Sequence, residues 1–151
     1  MSDSDIQKTV DFFSKAFPEP KSKNIHTQLG VHYEEVAEMT RALRGVDAKT
    51  TFLIKMVADA NEALARYLKE SDNVLDLSTS DRLEILDGIC DQIVTATGFG
   101  YMLRMDVAGG FGEVNRSNFS KFGENGEPIF DQNLKMIKGP NYFKPSLGQF
   151  V

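Results

Sequence analysis

Six carboxylates stand in two short stretches of the chain: Glu34, Glu35 and Glu38 in HYEEVAEM, and Glu84, Asp87 and Asp91 in DRLEILDGICDQIV. Acids that repeat at i, i+3 or i+4 project from one side of a helix. Both stretches otherwise carry apolar residues of the core type, so the acids would stand beside a core. Oxygen-only donors of this kind suit a hard divalent cation such as Mg²⁺, which also relieves their mutual repulsion. Two carboxylates about 4 Å apart repel by on the order of 4 kcal/mol at an effective dielectric of about 20, so four or more that converge require cations or protons.

Each cluster also has a plainer reading. At about 100° per residue, Glu34, Glu35 and Glu38 span an arc of roughly 100° and could be a solvated acidic face. Solvated glutamates more often alternate with Lys or Arg, whereas Glu38 and Met39 stand four beyond Glu34 and Glu35. Asp81 and Glu84 have the spacing of a capping box, which alone could explain Glu84. Asp87 and Asp91 resist that explanation, because they fall within the most apolar helical stretch and a buried carboxylate is costly without a partner. A metal site between two helices is the reading that accounts for both clusters.

Carboxylates holding Mg²⁺ suit phosphoryl chemistry. The ions would draw phosphate oxygens into an acidic cavity, lower the pKa of a bound water and offset charge on the leaving phosphate. A spare carboxylate could take the water's proton. The remaining phosphate oxygens then need donors, and the C-terminal third offers Asn115, Arg116, Ser117, Asn118 and Lys121, then Lys138, Asn141, Tyr142 and Lys144.

The elements that must position these groups are helical over the first two-thirds of the chain. Ile6, Val10, Phe13 and Phe17 form a stripe that stops at Pro18-Glu19-Pro20. A second helix is expected from about Ile25 to Leu43, ended by Gly45, and a third carries Leu53, Met56, Val57, Ala60, Leu64, Tyr67 and Leu68. The fourth starts near Ser80-Asp81 and runs through Thr97 to Gly98 and Gly100; a shorter fifth follows Gly109-Gly110, through Val114 and Asn118. Short connections favour an antiparallel bundle. Beyond Lys121, Gly123, Asn125 and Gly126 mark a turn, Pro128-Ile129-Phe130 and Met136-Ile137 could pair as a ribbon, and KGPNYFKPSLGQFV is read as non-helical. The expected organisation is a helical catalytic part, 1–121, with a ribbon and extended tail, 122–151, in the same domain.

With 151 residues, 41% hydrophobic and 26% charged, the chain can bury one ordinary core. A net charge of −5 and a pI near 5.0 provide no basic stripe, which argues against nucleic acid as a partner. The single Cys90 cannot form an internal disulfide, no apolar run approaches a membrane span, and MSDSDIQKTV has no signal-peptide pattern, so a cytoplasmic protein is expected.

EExxE in the second helix followed by ExxD in the fourth resembles the all-α nucleoside triphosphate pyrophosphohydrolases, which include MazG-like proteins, dimeric dUTPases and phosphoribosyl-ATP pyrophosphohydrolases. VNRSNFSKFGENGEPIF with IKGPNYFKPSL resembles the C-terminal signature of the phosphoribosyl-ATP pyrophosphohydrolase-like branch of bacteria and many phages, and VDFFSKAF and LDGICDQIVTATG resemble its first and fourth helices. The resemblance implies an α-bundle of the MazG and dimeric dUTPase type, assembled as a homodimer or homotetramer. It implies cleavage of a nucleotide between its α and β phosphates with two or more Mg²⁺ ions, which Mn²⁺ can replace. By motif position Glu35, Glu38, Glu84 and Asp87 would be metal ligands, Glu34 an additional ligand or base, and Asn118 and Lys121 substrate contacts. Asp87 and Asp91 both match the family's essential aspartate; if it is Asp91, Gly88 replaces the usual Glu. Some phage relatives remove dGTP and dATP, which makes a purine deoxynucleotide the first substrate expected. The alternatives are a dUTPase or general pool-cleansing enzyme and, from another class, a helical interaction protein whose acids are surface features.

The remaining reactive residues are read as structural. His26 and His32 have no Cys or His partner at zinc-site spacing and are taken as surface or capping residues. Cys90, on the apolar stripe, reads as a buried inert thiol, Gly109, Gly110 and Gly112 as a plain turn, Gly88 as a point of close helix approach, and Tyr142 and Phe143 as tail packing.

Overall fold

The computed structural model describes residues 4–151; the first three residues of the stretch read for a leader lie outside it. The chain is all-helical, with α1 Asp5–Ala16, α2 Ser22–Ala42, α3 Ala48–Glu70, α4 Arg82–Met102 and α5 Val107–Phe119. It divides into two compact units: residues 19–76 with 130–135 form one, and the rest of the chain the other.

In the first unit, α2 and α3 form an antiparallel hairpin. Asn24 starts α2 by accepting from the Lys21 N–H at 2.8 Å, and Asp47 caps α3 by accepting from the Thr50 N–H at 2.7 Å. Small residues let the helices approach closely: Ala37, Ala58 and Ala65 are buried, and a methyl on Gly30 would lie 2.7 Å from the Ala65 carbonyl oxygen and 2.7 Å from Lys69 Cγ. His26 is fully buried, contrary to the surface or capping role expected for it. Its Nε2 accepts from the Val74 and Leu75 N–H groups at 3.2 and 3.3 Å, which leaves Nδ1–H to donate to the Ser22 carbonyl at 2.9 Å. The ring thus fastens the segment after α3 to the start of α2.

Tip residues 130–135 of the C-terminal hairpin belong to this same unit. The Asp131 carboxylate accepts from the Asn133 and Lys135 N–H groups at 2.8 and 3.0 Å and shapes the tip. The tip docks on α2 where the Thr27 hydroxyl donates to the Asn133 carbonyl at 2.7 Å.

In the second unit, Ser4 caps α1, which packs on α5 and buries Phe12 and Ala16 against Phe122. Phe12 makes edge contacts with Phe13, Phe119 and Phe122 at ring separations of 5.3, 5.7 and 5.5 Å. The fourth helix passes through Gly98 and ends only after Met102, beyond the expected stop. Gly100 has a packing reason: a methyl there would meet Val107 at 2.4 Å, where α5 crosses the end of α4. The fifth helix starts before the glycines read as a turn, because Asp106 caps it by accepting from the Gly109 N–H at 2.9 Å. A 3₁₀ turn over Leu147–Phe150 interrupts the tail expected to be free of helix, and the Phe150 carbonyl at its end accepts from the Asp106 N–H at 2.8 Å. At the hairpin's base, Ile137 N–H donates to the Ile129 carbonyl at 2.8 Å, and Gly126 turns with φ +75°.

Candidate functional site

The α2–α3 hairpin brings acids and bases to one mouth. A cavity of about 260 Å³ is lined by Glu34, Glu38 and Glu62 together with Arg41, Arg66 and Lys69. Arg41 pairs with Glu62 and lies 3.3 Å from Asp59. Glu34 is gripped from two sides, by Lys69 Nζ at 2.7 Å on one carboxylate oxygen and by Lys135 Nζ at 2.9 Å on the other. Burial by itself would raise the Glu34 carboxyl, but hydrogen bonds and charge from the two lysines outweigh it and hold the group below its ordinary value. That weakens Glu34 as a base. Glu38 is exposed at the rim of the cavity and Glu35 is exposed on the same helix.

Glu84, Asp87 and Asp91 are exposed on α4, which corrects the expectation that the two aspartates are buried. Asp81 caps the helix by accepting from the Leu83 and Glu84 N–H groups at 3.0 and 3.1 Å. Among the described residues no three His, Cys, Asp or Glu side chains converge as a metal-binding group, and the α2 and α4 acids belong to different compact units. As donors the acids still fit a hard cation, being oxygen-only and spaced along helix faces. Cys90 is exposed rather than buried, and nothing lies within 4 Å of a methyl placed on Gly88, so neither plays the packing role expected of it among the described residues.

The NRSNFSK motif is divided between packing and solvent. Asn115 is buried and its amide is spent on α1: Thr9 donates to it at 2.8 Å and it donates to the Asp5 carbonyl at 2.9 Å. This takes it out of the expected substrate contacts. Ser117 donates to the Phe143 carbonyl at 2.8 Å, Ser120 accepts from the Phe143 N–H at 3.1 Å, and Arg116 lies over the Phe143 ring at 4.2 Å. Arg116 also pairs with Glu113, whose other hydrogen bond comes from the Ser146 N–H at 2.8 Å. Together Arg116 and Ser146 lower the Glu113 carboxyl to about 2. Half of the motif therefore clips the tail onto α5. Asn118 and Lys121 are half-buried, and the Lys121 carbonyl accepts from the Gly139 N–H at 2.9 Å. Lys138 lies over the Tyr142 ring at 4.7 Å, so both expected contacts pack on each other in the tail.

Lys69 and Lys135 were not among the residues singled out in the sequence. Lys69 is an ordinary helix lysine by pattern, and Lys135 reaches Glu34 across 101 positions of sequence, which no local spacing reveals.

No family model and no curated protein sequence matches the chain. Among the described residues no helix is long and apolar enough to cross a membrane. The fold matches the crystal structure of "a putative NTP pyrophosphohydrolase" from Exiguobacterium sp. 255-15 with a TM-score of 0.60 and 18% identity, over 96% of this chain and 90% of that one. The likeness defines architecture: this chain has the all-α fold of that protein.

Proposed function

We propose that the chain is a metal-dependent nucleoside triphosphate pyrophosphohydrolase that cleaves the α–β bond of a deoxynucleotide, releasing the monophosphate and pyrophosphate. The observation that carries this reading is the exposure of Glu35 and Glu38 on α2 and of Glu84, Asp87 and Asp91 on α4, at helical spacing, within a fold shared with a protein named for that activity. Glu35, Glu38, Glu84, Asp87 and Asp91 would hold Mg²⁺ or Mn²⁺, and the ions, when bound, supply an activated water and offset phosphate charge. Glu34 is not assigned as a ligand, because two lysines occupy its oxygens. Asn118 and Lys121 act on the substrate, as an amide able to donate and accept and as a mobile cation.

Assembly as a homodimer or homotetramer belongs to the same proposal. Leu83, Val94, Tyr101 and Met102 of α4 are 78%, 68%, 78% and 81% exposed, and Phe52 of α3 is 63% exposed. Large apolar side chains exposed in this way on each helix are costly in water and fit coverage by a second copy.

Among substrates the resemblance to phage purine deoxynucleotide pyrophosphohydrolases, the MazZ proteins, ranks dGTP and dATP ahead of dUTP. The test is hydrolysis of a panel of dNTPs and NTPs with product analysis. Expected are pyrophosphate and a monophosphate, with dGTP and dATP turned over fastest, and no turnover in excess EDTA. Undiminished hydrolysis in EDTA, or orthophosphate as the primary product, would contradict the proposal.

A further inference from the structure

We propose that Lys69 and Lys135, held on either side of the Glu34 carboxylate, form the binding site for the diphosphate end of the substrate and for the pyrophosphate product. This rests on the pyrophosphohydrolase reading for its substrate, but the site itself is built from contacts within the α2–α3 unit and its hairpin tip.

Charge is the first argument. Two ammonium groups meet one carboxylate, and Arg66 lines the same cavity, while Arg41 already neutralises Glu62. Once a divalent ion offsets Glu38 at the rim, the cavity keeps an excess of positive charge. The Lys69 and Lys135 side chains are 19% and 39% exposed, so this excess is only partly screened by solvent and attracts an anion.

Donor capacity is the second argument. Each ammonium has three N–H groups and gives one to Glu34, so donors remain for phosphate oxygens. The lysines grip different oxygens of one carboxylate and therefore flank it, an arrangement suited to an anion with oxygens on two phosphorus atoms rather than one. Placement is the third argument. Glu38 follows Glu34 by one helical turn and lines the same cavity, so an anion held by the lysines would lie beside the α2 acids proposed as metal ligands. Lys135 arrives there because the hairpin tip is fixed by Asp131 and docked through Thr27. Glu34 is thus a positioning residue.

The experiment is calorimetric titration of the full chain with inorganic pyrophosphate and with orthophosphate in the presence of Mg²⁺, for wild type, Lys69→Gln, Lys135→Gln and Lys135→Arg, with steady-state kinetics alongside. Wild type should bind pyrophosphate in preference to orthophosphate. Each Gln variant should weaken pyrophosphate binding by about tenfold or more, the scale of a hydrogen bond to a charged group, and Lys135→Arg should retain most of it. KM should rise in the Gln variants while the rise in melting temperature caused by Mn²⁺ stays as in wild type. A readout independent of variant folding is lysine acetylation of the wild type: pyrophosphate should protect Lys69 and Lys135 but not Lys8. Unprotected lysines, or wild-type pyrophosphate affinity in both Gln variants, would overturn the proposal even if nucleotides are hydrolysed. Pyrophosphate bound at these lysines by a protein that cleaves no nucleotide would keep the site and remove the enzymatic reading.

Discussion

Asn115 and Asn118 lie one helical turn apart in α5 and have opposite environments. Asn115 is buried with both ends of its amide bonded to α1, whereas the Asn118 side chain is half-buried and makes no hydrogen bond among the described residues. Asn115→Ala should therefore lower stability by about 1–3 kcal/mol, the cost of stranding buried polar groups, with KM for nucleotide nearly unchanged. Asn118→Ala and Lys121→Ala should do the reverse. For Lys121→Ala the expected loss in kcat/KM is roughly 1.5–3 kcal/mol, with metal binding intact. Chemical denaturation beside steady-state kinetics checks all three, and wild-type kinetics in both Asn118→Ala and Lys121→Ala would return those side chains to a structural role. Glu38 belongs to the metal by the same proposal. Mn²⁺ that binds only the folded form adds RT ln(1 + [L]/Kd) to stability, so it should raise the melting temperature. Glu38→Gln should abolish turnover and shrink that rise; equal shifts in wild type and variant would place the ion elsewhere.

At the scale of elements, the hairpin depends on a glycine and the tail on a carboxylate. Gly30→Ala would push a methyl to 2.7 Å from the Ala65 carbonyl oxygen, where backbone has to give way, and should cost about 1–3 kcal/mol by denaturant titration. It should also displace Lys69, whose Cγ lies equally close, and so raise KM as well as lower stability. Glu113 joins Arg116 and Ser146 where the tail returns to α5. Its folded-state pKa, near 2, lies below the ordinary carboxyl value of 4.5, so its contribution is present above about pH 4.5 and is lost as pH falls toward 2. Melting curves between pH 2 and pH 5 should show a steeper loss for wild type than for Glu113→Gln. Parallel curves would mean that the carboxylate does not hold the tail.

For the molecule as a whole, the exposed apolar residues of α3 and α4 are the main unbalanced feature. A surface substitution in a single folded copy changes stability by about 0.5 kcal/mol or less. Val94→Glu should then leave the isolated chain folded but shift a dimer or tetramer toward monomer, read by light scattering, with activity falling in step. An unchanged assembly would exclude this face of α4 from the interface. A net charge of −5 also frames how an anionic substrate is drawn in: the chain repels it overall, so the metal ions and the local lysine excess must do the attracting.

What the sequence determined by itself was whatever rests on neighbours along the chain. The five described helices, the cap at Asp81, the turn at Gly123–Gly126 and the spacing of the acids follow from periodicity, capping chemistry and backbone preference, all within a few residues. Resemblance also drew attention to VNRSNFSKF, though not to the division of its polar groups between tail clip and solvent. Tertiary structure decided burial and partnership. His26 is interior because Val74 and Leu75 come to it, and Asp87, Asp91 and Cys90 are exposed although the helix that carries them is apolar. Glu34 is tied to Lys69 and Lys135 because a hairpin and a helix, distant in sequence, close on the same turn of α2. A side chain's charge and spacing are local properties, whereas its solvation and its counter-charge depend on which remote segments pack against it, and at this site those decide what the acids can do.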